Sequence, residues 1–420
     1  MPLRILLAAI GSSGDVNPVI EVGRALRARG HAVTLATSEV FAGQVAANGL
    51  GFERLGTTAQ AQALMRDPRL WHPLRGFGCI IEGAVLPMIE PLYRIIERHR
   101  GPGLVVAATS LCLGARVAQE RLGVPTATVH LQPTVFRSEV DNGTLGPLHF
   151  GPGMPRPLRR GLLWAIDALV VDRGVAPALN RFRSGLGLAP TRGIFRSYLN
   201  SPDLVLGLFP EWFAERQPDW PAQTCLTGFV LHDGAELAPI PGDAEAFLAA
   251  GPAPLLVTPG SAATDRTEFF RAAARACARA GSRAMFVTNF AEQIPAGLPA
   301  GVRVFPYLPF SRVLPRCSGI VYHGGIGTLA QAVAAGVPHL VIPNAHDQPD
   351  NGRRVELLGL GRCLPLRRFR REEGARALSA ILSSEAVARR CRELSPRVGG
   401  TQAAEAACLR IEALGGLRSR

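Results

Sequence analysis

Residues 319–361 constrain the fold of this chain more than any other stretch. An apolar run at 320–322 is followed by a loop with three glycines at 323–328 and then by an alanine-rich segment that ends at Gly336. Alanine has the highest helix propensity, and glycine readily adopts the left-handed conformation that ends a helix. The stretch therefore predicts a strand, a glycine loop and a helix, followed by a second strand at 339–343.

The glycine loop is suited to binding a phosphate group. Its backbone can approach an anion closely, and the free N–H groups at the start of the helix point towards the anion. His323 adds an imidazole donor and Thr328 adds a hydroxyl donor. The alternative is a tight turn with alanine packing and no ligand, but these polar side chains favour a binding site.

A polar loop at 344–351 follows the second predicted strand. Asp347 and Gln348 carry carboxylate and amide groups that could hold a ligand rich in hydroxyl groups. Asn351 lies near the start of the next helix, where it either donates a hydrogen bond to an anion or acts as an N-cap.

The beginning of the chain repeats this arrangement. Residues 3–10 are predominantly apolar, which is typical of a strand buried on both faces of a parallel sheet. A loop at 11–18 follows, and Pro18 is well placed in the first turn of a helix. Residues 32–37 form the next predicted strand. A strand–helix–strand unit of this kind predicts a doubly wound α/β fold.

Asp15 stands in the loop between the first strand and the first helix. A carboxylate at this place can remove a proton from an attacking hydroxyl group, or it can cap the helix that begins near Pro18. The loop has the sequence GSSGD rather than GxGxxG, so its match to a dinucleotide-binding loop is weak. Glu39 follows the second strand, where a dinucleotide-binding fold carries an acid, and an NAD-dependent oxidoreductase is therefore an alternative.

The length of 420 residues suits two domains better than one. Residues 232–243 have the proline, glycine and acidic content of a linker, and a second α/β series begins at residue 254. We predict four segments: an N-terminal Rossmann-like domain (1–235), a linker (236–250), a C-terminal Rossmann-like domain (251–400) and a final helix (401–420) that crosses back to the N-terminal domain.

The composition argues against several classes of function. The net charge of +13 would suit a nucleic-acid-binding protein, but every basic residue is arginine and the arginines are scattered, so we predict no nucleic-acid partner. The eight cysteines form no CxxC pair and no carboxylate cluster is spaced for Mg²⁺, so we expect no metal or other cofactor. We find no secretory signal and no apolar run of ~18 residues, and we expect a cytoplasmic protein.

The stretch 319–361 resembles the nucleotide-diphosphosugar motif of the GT-B glycosyltransferases that are related to plant and bacterial UDP-glycosyltransferases. The resemblance extends over nearly the whole chain. It implies two Rossmann-like domains that face each other across a cleft, with the acceptor bound by the N-terminal domain and a nucleotide-sugar donor bound by the C-terminal domain. It also implies an inverting transfer of the sugar without a metal ion.

Matched residue by residue, the resemblance implies that Asp15 is the catalytic base and that His323 and Thr328 bind the donor diphosphate. Asp347 and Gln348 match the pair that holds the sugar hydroxyls. The complete set of implied donor-binding residues is Ser13, Gly14, Ser261, Tyr307, Leu308, His323, Gly324, Gly325, Gly327, Thr328, Asp347, Gln348 and Asn351.

One departure from the family pattern concerns Gln331, where plant members carry a glutamate that binds the ribose diol. The departure leaves room for a thymidine donor, whose deoxyribose lacks one hydroxyl group. Tyr307 lies in the segment that matches the nucleobase-binding region, but plant members differ at residues 309–310. The resemblance therefore implies a nucleotide donor and leaves uridine and thymidine open.

Three residues are candidates for the acceptor site: Trp71, His130 and Trp164. His130 ends a strand predicted over 125–131, and a satisfied structural histidine is the alternative. Trp164 lies in a helix predicted over 155–173, which is basic at its start. This helix could make peripheral contact with a membrane surface, but apolar residues surround its axis and favour a buried helix that covers the acceptor pocket.

Within the family, the chain is similar to the bacterial rhamnosyltransferases of mono-rhamnolipid synthesis. The likeness rests on stretches in both halves of the chain: DPRLW, MIEPLY, LFPEWFA, DWP, TGF and AHDQPDN. It implies a TDP-rhamnose donor and a lipid-like hydroxyalkanoyl acceptor. A UDP- or TDP-sugar transferase for a sterol or polyketide acceptor is the alternative. An inactive helper protein is a more distant one, and the intact set of Asp15, His323, Asp347 and Gln348 argues against it.

Overall fold

A computed structural model of the protein describes residues 2–146, 148–234 and 239–416. The chain divides into two compact units, one formed by residues 1–230 with 399–420 and the other by residues 231–398. Each unit contains a fully parallel central sheet. The prediction of two doubly wound α/β domains is confirmed.

The first unit contains a long sheet and a short hairpin. The strands of this unit, in chain order, are β1 (Arg4–Ala8), β2 (Ala32–Thr37), β3 (Gly51–Arg54), β4 (Leu104–Thr109), β5 (Thr126–His130), β6 (Thr144–Leu145), β7 (Leu148–His149), β8 (Leu204–Gly207) and β9 (Thr224–Leu226). Seven of them form a parallel sheet in the order β3-β2-β1-β4-β5-β8-β9, while β6 and β7 form an antiparallel hairpin. The strand order reverses between β1 and β4, which is where doubly wound sheets bind ligands.

Eight helices follow these strands in the described part of the first 230 residues. They are α1 (Ser13–Ala28), α2 (Ala42–Ala47), α3 (Thr58–Arg66), α4 (Gly76–Ile80), α5 (Leu86–Arg98), α6 (Leu113–Leu122), α7 (Arg156–Ile166) and α8 (Arg173–Gly185). Short π-helical segments occur at Ile81–Val85, Asp167–Asp172 and Ile194–Tyr198. The segment Asp167–Asp172 joins α7 directly to α8.

Strand β1 shows why the predicted buried run forms a central strand. Ile5, Leu6, Leu7 and Ala8 are all buried, although successive side chains point to opposite faces of the sheet. Every residue of β4, its neighbour, is buried as well. Both faces of the sheet centre are therefore covered, as expected for parallel strands.

The second unit repeats this architecture with six strands. They are β10 (Leu255–Thr258), β11 (Ala284–Val287), β12 (Val302–Phe305), β13 (Gly319–Tyr322), β14 (His339–Val341) and β15 (Gly361–Cys363), in the parallel order β12-β11-β10-β13-β14-β15. Its helices are α9 (Gly242–Ala249), α10 (Thr267–Arg279), α11 (Phe310–Val313), α12 (Ile326–Ala335), α13 (Gln348–Leu357), α14 (Leu366–Phe369), α15 (Glu372–Leu382) and α16 (Glu385–Leu394). The strand order reverses between β10 and β13, so the loops after these two strands are neighbours.

The described part of the predicted linker is mostly helical. Residues 235–238, at the predicted domain boundary, lie outside the described residues, and α9 occupies most of the remainder as part of the second unit. The final helix, α17 (Gly400–Gly416), belongs to the first unit and packs against α1. Residues 417–420 of the predicted final helix lie outside the described residues. No described helix is both long and apolar enough to cross a membrane.

Candidate active site

The loop after β1 places Asp15 in the first turn of α1. The helix begins at Ser13 and contains Pro18 in its interior, so the prediction that Pro18 occupies the first turn is wrong. Ser12 is the N-cap, and Oδ2 of Asp15 accepts hydrogen bonds from the Ser12 N–H at 2.8 Å and the Ser12 hydroxyl at 3.2 Å. Asp15 therefore stabilises the helix start from the third helical position and is not itself the N-cap.

The carboxyl group of Asp15 keeps the features of a candidate base. Both of its hydrogen bonds use Oδ2, which leaves Oδ1 as the candidate proton acceptor. Burial raises the pKa of Asp15 above its ordinary value, although the hydrogen bonds from Ser12 oppose the shift. A carboxylate with a raised pKa is a stronger base, and it is still ionised when its pKa lies below the working pH.

Ser13 and Gly14 form the start of α1 next to this carboxylate. Both are partly exposed. The N–H groups in the first turn of a helix have no partner within that helix, so these two residues can offer backbone donors. Pro18 has no N–H, so it cannot bond the carbonyl of Gly14 as a helix residue normally would.

His323 follows β13 and is enclosed by two glycines. A Cβ atom at Gly260 would lie 2.6 Å from Nε2 of His323, and one at Gly325 would lie 2.4 Å from it. The absence of side chains at both positions therefore lets the imidazole fit between the two loops. Burial, with a contribution from the charge of Arg266, lowers the pKa of His323 to about 4. The ring is thus neutral near pH 7 and can donate one hydrogen bond.

The glycine loop opens α12 as the sequence predicts. Gly325 is the N-cap, Gly327 and Thr328 lie in the first turn, and Gly336 ends the helix in the left-handed conformation with φ of +69°. Gly324 has φ of +92°, and a Cβ atom there would lie 2.8 Å from Val341. Glycine is therefore required where the chain turns from β13 into the helix.

The second loop is joined to the first by Asn351. The predicted loop at 344–351 is shorter than expected, because α13 begins at Gln348 with Asp347 as its N-cap. The N-cap interpretation of Asn351 is therefore wrong. Asn351 is fully buried, and its Nδ2 donates to the carbonyl of Gly324 at 2.9 Å and to Oδ2 of Asp347 at 2.7 Å.

Gln348 shapes the second loop from within. Its Oε1 accepts hydrogen bonds from the N–H groups of Asn344 at 2.9 Å and Ala345 at 3.2 Å, and its side chain is buried. Asp347 is partly exposed, and His346 before it has a positive φ of +62°, which is uncommon for a residue other than glycine. The turn therefore presents Asp347 while Gln348 supports the loop.

Three polar atoms of these loops are buried without a hydrogen-bond partner among the described residues. They are Nδ1 of His323, Nδ2 of Asn344 and Oδ1 of Asn351. Buried polar groups are nearly always paired, because an unpaired group loses its bonds to water without compensation. The concentration of such atoms in two adjoining loops is what a site for a polar ligand requires.

The segment after β12 carries the predicted nucleobase residues. The side chain of Leu308 is buried, so it contributes packing and leaves its backbone as the available polar part. The Tyr307 side chain is exposed and its hydroxyl donates to the carbonyl of Asp233. Loss of contact with water over the covered part of the side chain, together with the charge of Asp233, raises the pKa of Tyr307 to about 12. Asp233 also accepts from the N–H of Ser311 at 2.6 Å, which fixes the start of α11.

The loop after β10 carries Ser261 and a residue that the sequence analysis missed. Ser261 is exposed in this loop, next to Gly260, which contacts His323. Arg266 ends the same loop and is close enough for its charge to lower the pKa of His323. The rule that loops after central parallel strands bind ligands would have included Arg266.

Two further residues contribute to the fold itself: Gln331, which bears on the choice between uridine and thymidine, and Glu39, which bears on the dinucleotide alternative. Gln331 is buried within α12. Glu39, the acid of the dinucleotide alternative, accepts hydrogen bonds from the N–H of Thr58 at 3.1 Å and from its hydroxyl at 3.3 Å. Its carboxylate therefore supports the start of α3.

His130 has the environment of a structural residue. It is fully buried at the end of β5, with Nδ1 at 2.7 Å from the Ser110 hydroxyl and Nε2 at 2.8 Å from Oδ1 of Asn200. Its ring packs edge-on against Phe136, and burial lowers its pKa to about 4. Both ring nitrogens are occupied, so the structural alternative describes His130 better than an acceptor contact.

The two acceptor-site tryptophans differ in exposure. Trp71 is partly buried in the turn between α3 and α4. Trp164 is 58% exposed on α7, so the expectation that this helix is buried on all sides is wrong. The helix buries one side only, and its buried residues are Arg159 and Leu163.

Metal-ligating side chains do not gather in the part of the chain that the structure describes. No group of three or more His, Cys, Asp or Glu residues there could hold a metal ion. The absence of a metal requirement stays a prediction.

Comparisons with known proteins match both halves of the chain. Residues 5–139 match the glycosyltransferase family 28 N-terminal domain, and residues 285–406 match the C-terminal domain of the erythromycin biosynthesis protein CIII-like family. The second match contains the two loops described above that follow β13 and β14.

Two relatives align over most of their length. The O-mycaminosyltylonolide 6-deoxyallosyltransferase of Streptomyces fradiae is 31% identical, over 98% of this chain and 97% of its own. The 4'-demethylrebeccamycin synthase of Lentzea aerocolonigenes is 28% identical, over 91% of this chain and 92% of its own.

A solved structure shares the fold. The spinosyn rhamnosyltransferase SpnG, complexed with thymidine diphosphate, superposes with a TM-score of 0.67 over 97% of this chain and 100% of its own, at 19% identity. The predicted GT-B fold is therefore confirmed.

Proposed function

This chain belongs to the glycosyltransferases that combine a family 28 N-terminal domain with an erythromycin CIII-like C-terminal domain, and we propose its function on that premise. In our proposal it transfers a deoxysugar from a thymidine diphosphate donor to a hydroxyl group of a polyketide or related antibiotic acceptor. The relatives named above support this acceptor class, since they are an O-mycaminosyltylonolide 6-deoxyallosyltransferase and a 4'-demethylrebeccamycin synthase. They do not support the hydroxyalkanoyl acceptor and rhamnolipid synthesis predicted from the sequence, whereas they agree with the polyketide alternative. Family membership sets aside the NAD-dependent oxidoreductase, and the enzymatic relatives argue against an inactive helper.

The proposed donor is a thymidine diphosphate sugar. Gln331 stands where related plant enzymes carry a ribose-binding glutamate, and a neutral amide removes the carboxylate that would select a ribose diol. The spinosyn rhamnosyltransferase, which shares the fold, binds thymidine diphosphate. These two observations together favour deoxyribose over ribose.

The observation that carries the donor site is the cluster of buried, unpartnered polar atoms on His323, Asn344 and Asn351. In our proposal His323 donates to the diphosphate, together with the Thr328 hydroxyl and the N–H groups at the start of α12. Asp347 bonds the sugar hydroxyls. Donors that are already oriented cost little reorganisation as charge develops on the leaving group, and each typically contributes ~3 kcal/mol.

The proposed chemistry is a direct displacement with inversion. Oδ1 of Asp15 takes the proton of the acceptor hydroxyl, whose oxygen forms a bond to the anomeric carbon of the sugar. The bond between that carbon and the diphosphate oxygen breaks, and the diphosphate leaves with the electron pair. After the transfer, Asp15 carries the proton and the departing nucleoside diphosphate carries the negative charge. No metal ion takes part in this proposal, because neutral donors and the start of α12 stabilise the diphosphate.

The test combines binding and turnover. Calorimetric titration of the purified chain with TDP, UDP and NAD should give the tightest binding for TDP. TDP-deoxysugars, including TDP-rhamnose, are then assayed with macrolactone acceptors and with hydroxyalkanoyl acceptors, each with and without EDTA. Transfer to the macrolactones that EDTA leaves intact is expected. Preferred UDP binding, transfer only to hydroxyalkanoyl acceptors, or a rate abolished by EDTA would each contradict one part of the proposal.

A further inference from the structure

We propose that α7 and the π-helical segment after it dock on the surface of an anionic phospholipid membrane. Their outward side, which we call the α7 face, is defined by Leu158, Trp164, Leu169 and Val170. These side chains are 53%, 58%, 63% and 53% exposed. The proposal concerns where the protein is held and does not depend on the donor or acceptor proposed above.

The α7 face is apolar along its whole length. Between residues 157 and 170, every residue that is not buried is apolar or glycine, apart from Arg160. Water-soluble proteins rarely leave a continuous apolar patch of this kind exposed unless it contacts another surface. The face is therefore a candidate interaction surface and not ordinary scatter of apolar residues.

Buried polar contacts hold the opposite side of the helix in place. Oδ1 of Asp167 accepts from Nε of Arg137 at 2.9 Å, and both side chains are largely buried. The guanidinium of Arg159 donates to the backbone carbonyls of Glu139 and Met154. Rolling the apolar side inward would break this buried ion pair and leave a charge unpaired, which is strongly destabilising. The apolar side is thus fixed outward.

The charges around the α7 face suit an anionic surface. Arg156, Arg160 and Arg173 are exposed along it. Of the carboxylates, Asp167 is buried against Arg137, and Asp172 accepts from the N–H groups of Gly193 at 2.7 Å and Ile194 at 2.9 Å. Glu139 lies 3.4 Å from Nε of Arg160 and offsets part of its charge, and Asp219 accepts from the N–H of Glu139, so Arg156 and Arg173 carry most of the attraction.

This pattern matches a helix that lies in a membrane interface. Such helices combine apolar residues, a tryptophan at the headgroup level and basic residues that attract anionic lipids. No described helix could span the bilayer, so the contact would be one of surface docking. A second copy of the chain would bring the same arginines together, and like charges disfavour that arrangement.

The experiment measures sedimentation with vesicles of phosphatidylcholine alone and of phosphatidylcholine mixed with phosphatidylglycerol in equal parts. We expect binding to the mixed vesicles, weaker binding at high salt, and a shift of tryptophan emission to shorter wavelength. Trp164→Phe should keep the binding and lose most of the shift. Leu169→Glu should weaken binding by about tenfold or more, because it puts a charge in place of an exposed apolar side chain that would enter the membrane interface.

Leu409→Glu is the matched control, since Leu409 is 56% exposed on α17 in the same unit. It should bind the mixed vesicles as the parent protein does. The proposal is overturned if the parent does not sediment with the mixed vesicles, or if Leu169→Glu and the parent bind equally. A dimer in analytical ultracentrifugation that Leu169→Glu dissociates would also overturn it, because the face would then cover a second copy.

Discussion

The carboxylate of Asp15 occupies the space that a side chain on Gly11 would need. A Cβ atom at Gly11 would lie 2.2 Å from Oδ2 of Asp15. Gly11 also has φ of +139°, a conformation that residues with side chains rarely adopt. The position of the proposed base therefore depends on the absence of a side chain at residue 11.

Gly11→Ala should displace Asp15 and strain the loop. We expect a loss of stability of about 2 kcal/mol, typical of a forced backbone conformation, and a fall in kcat. Gly14→Ala is the control for stability, because a Cβ atom there meets only Ser12 Oγ at 3.6 Å. Thermal unfolding of both variants checks this. Equal melting temperatures for the two would contradict the steric argument.

Asp15→Asn should keep donor binding and remove the base. We expect kcat to fall by about 10²- to 10⁴-fold, the usual contribution of a general base, with little change in TDP affinity by calorimetry. An asparagine can still accept the Ser12 hydrogen bonds, so helix capping is retained. Turnover near that of the parent would show that Asp15 is only a cap.

The pH profile should show the raised pKa of Asp15. The base acts when deprotonated, so kcat/KM should fall as pH drops through the pKa of Asp15. Because that pKa is raised above the ordinary value of 3.8, the acid limb should lie above pH 3.8. The limb should be lost from the residual activity of Asp15→Asn. An unchanged acid limb in that variant would assign it to another group.

His323→Ala should weaken the binding of TDP, because one proposed diphosphate donor is lost. We expect a loss of about tenfold or more in calorimetry, as for a hydrogen bond to a charged group. His99→Ala is the control, because His99 belongs to the first unit and is paired with Glu53. Since the pKa of His323 is about 4, TDP affinity of the parent should show no histidine titration near pH 6.5. A titration there that His323→Ala removes would contradict the neutral ring.

Glu412 should contribute to stability through its contacts with Arg29 and His31. Bonds from Arg29 at 2.6 and 2.8 Å lower the pKa of Glu412 to about 2. A lowered carboxylate pKa stabilises the fold above the ordinary value of 4.5, and the effect is lost as pH falls towards 2. Arg29 is 37% exposed, so we expect Glu412→Gln to cost only about 1 kcal/mol at pH 7. The melting temperatures of the parent and the variant should converge near pH 2. A difference in melting temperature that does not change with pH would contradict the link between stability and the pKa of Glu412.

Local patterns predicted most of the donor loop. Gly336 ends α12 as the alanine-rich segment requires, and β2 has the predicted bounds. Pro18 was misleading, because proline is tolerated in the first turn but here lies inside α1. Asn351 was placed near a helix start correctly. Its bond to Asp347 lies within its own loop, but its bond to the carbonyl of Gly324 reaches the loop before α12, which no local pattern predicts.

Exposure was the least predictable property. The segment around Trp164 suggested burial because apolar residues surround its axis, but the structure buries Arg159 and Asp167 and leaves Trp164 outside. His130 ends a strand as predicted, while its partners Ser110 and Asn200 come from other parts of the chain. No local pattern could have identified Ser110 and Asn200 as the partners of His130, or shown that Arg159 and Asp167 are buried.

The sequence by itself determined the two α/β units, the glycine loops and the residue types that we propose bind a nucleotide sugar. These follow from helix propensity, hydrophobic periodicity and glycine conformation, which act over a few neighbouring residues. Only the tertiary structure decided that Gly260 and Gly325 enclose His323, that Arg266 stands near it, and that the α7 face points outward. These properties depend on which distant segments pack together, and burial and pKa follow from that packing.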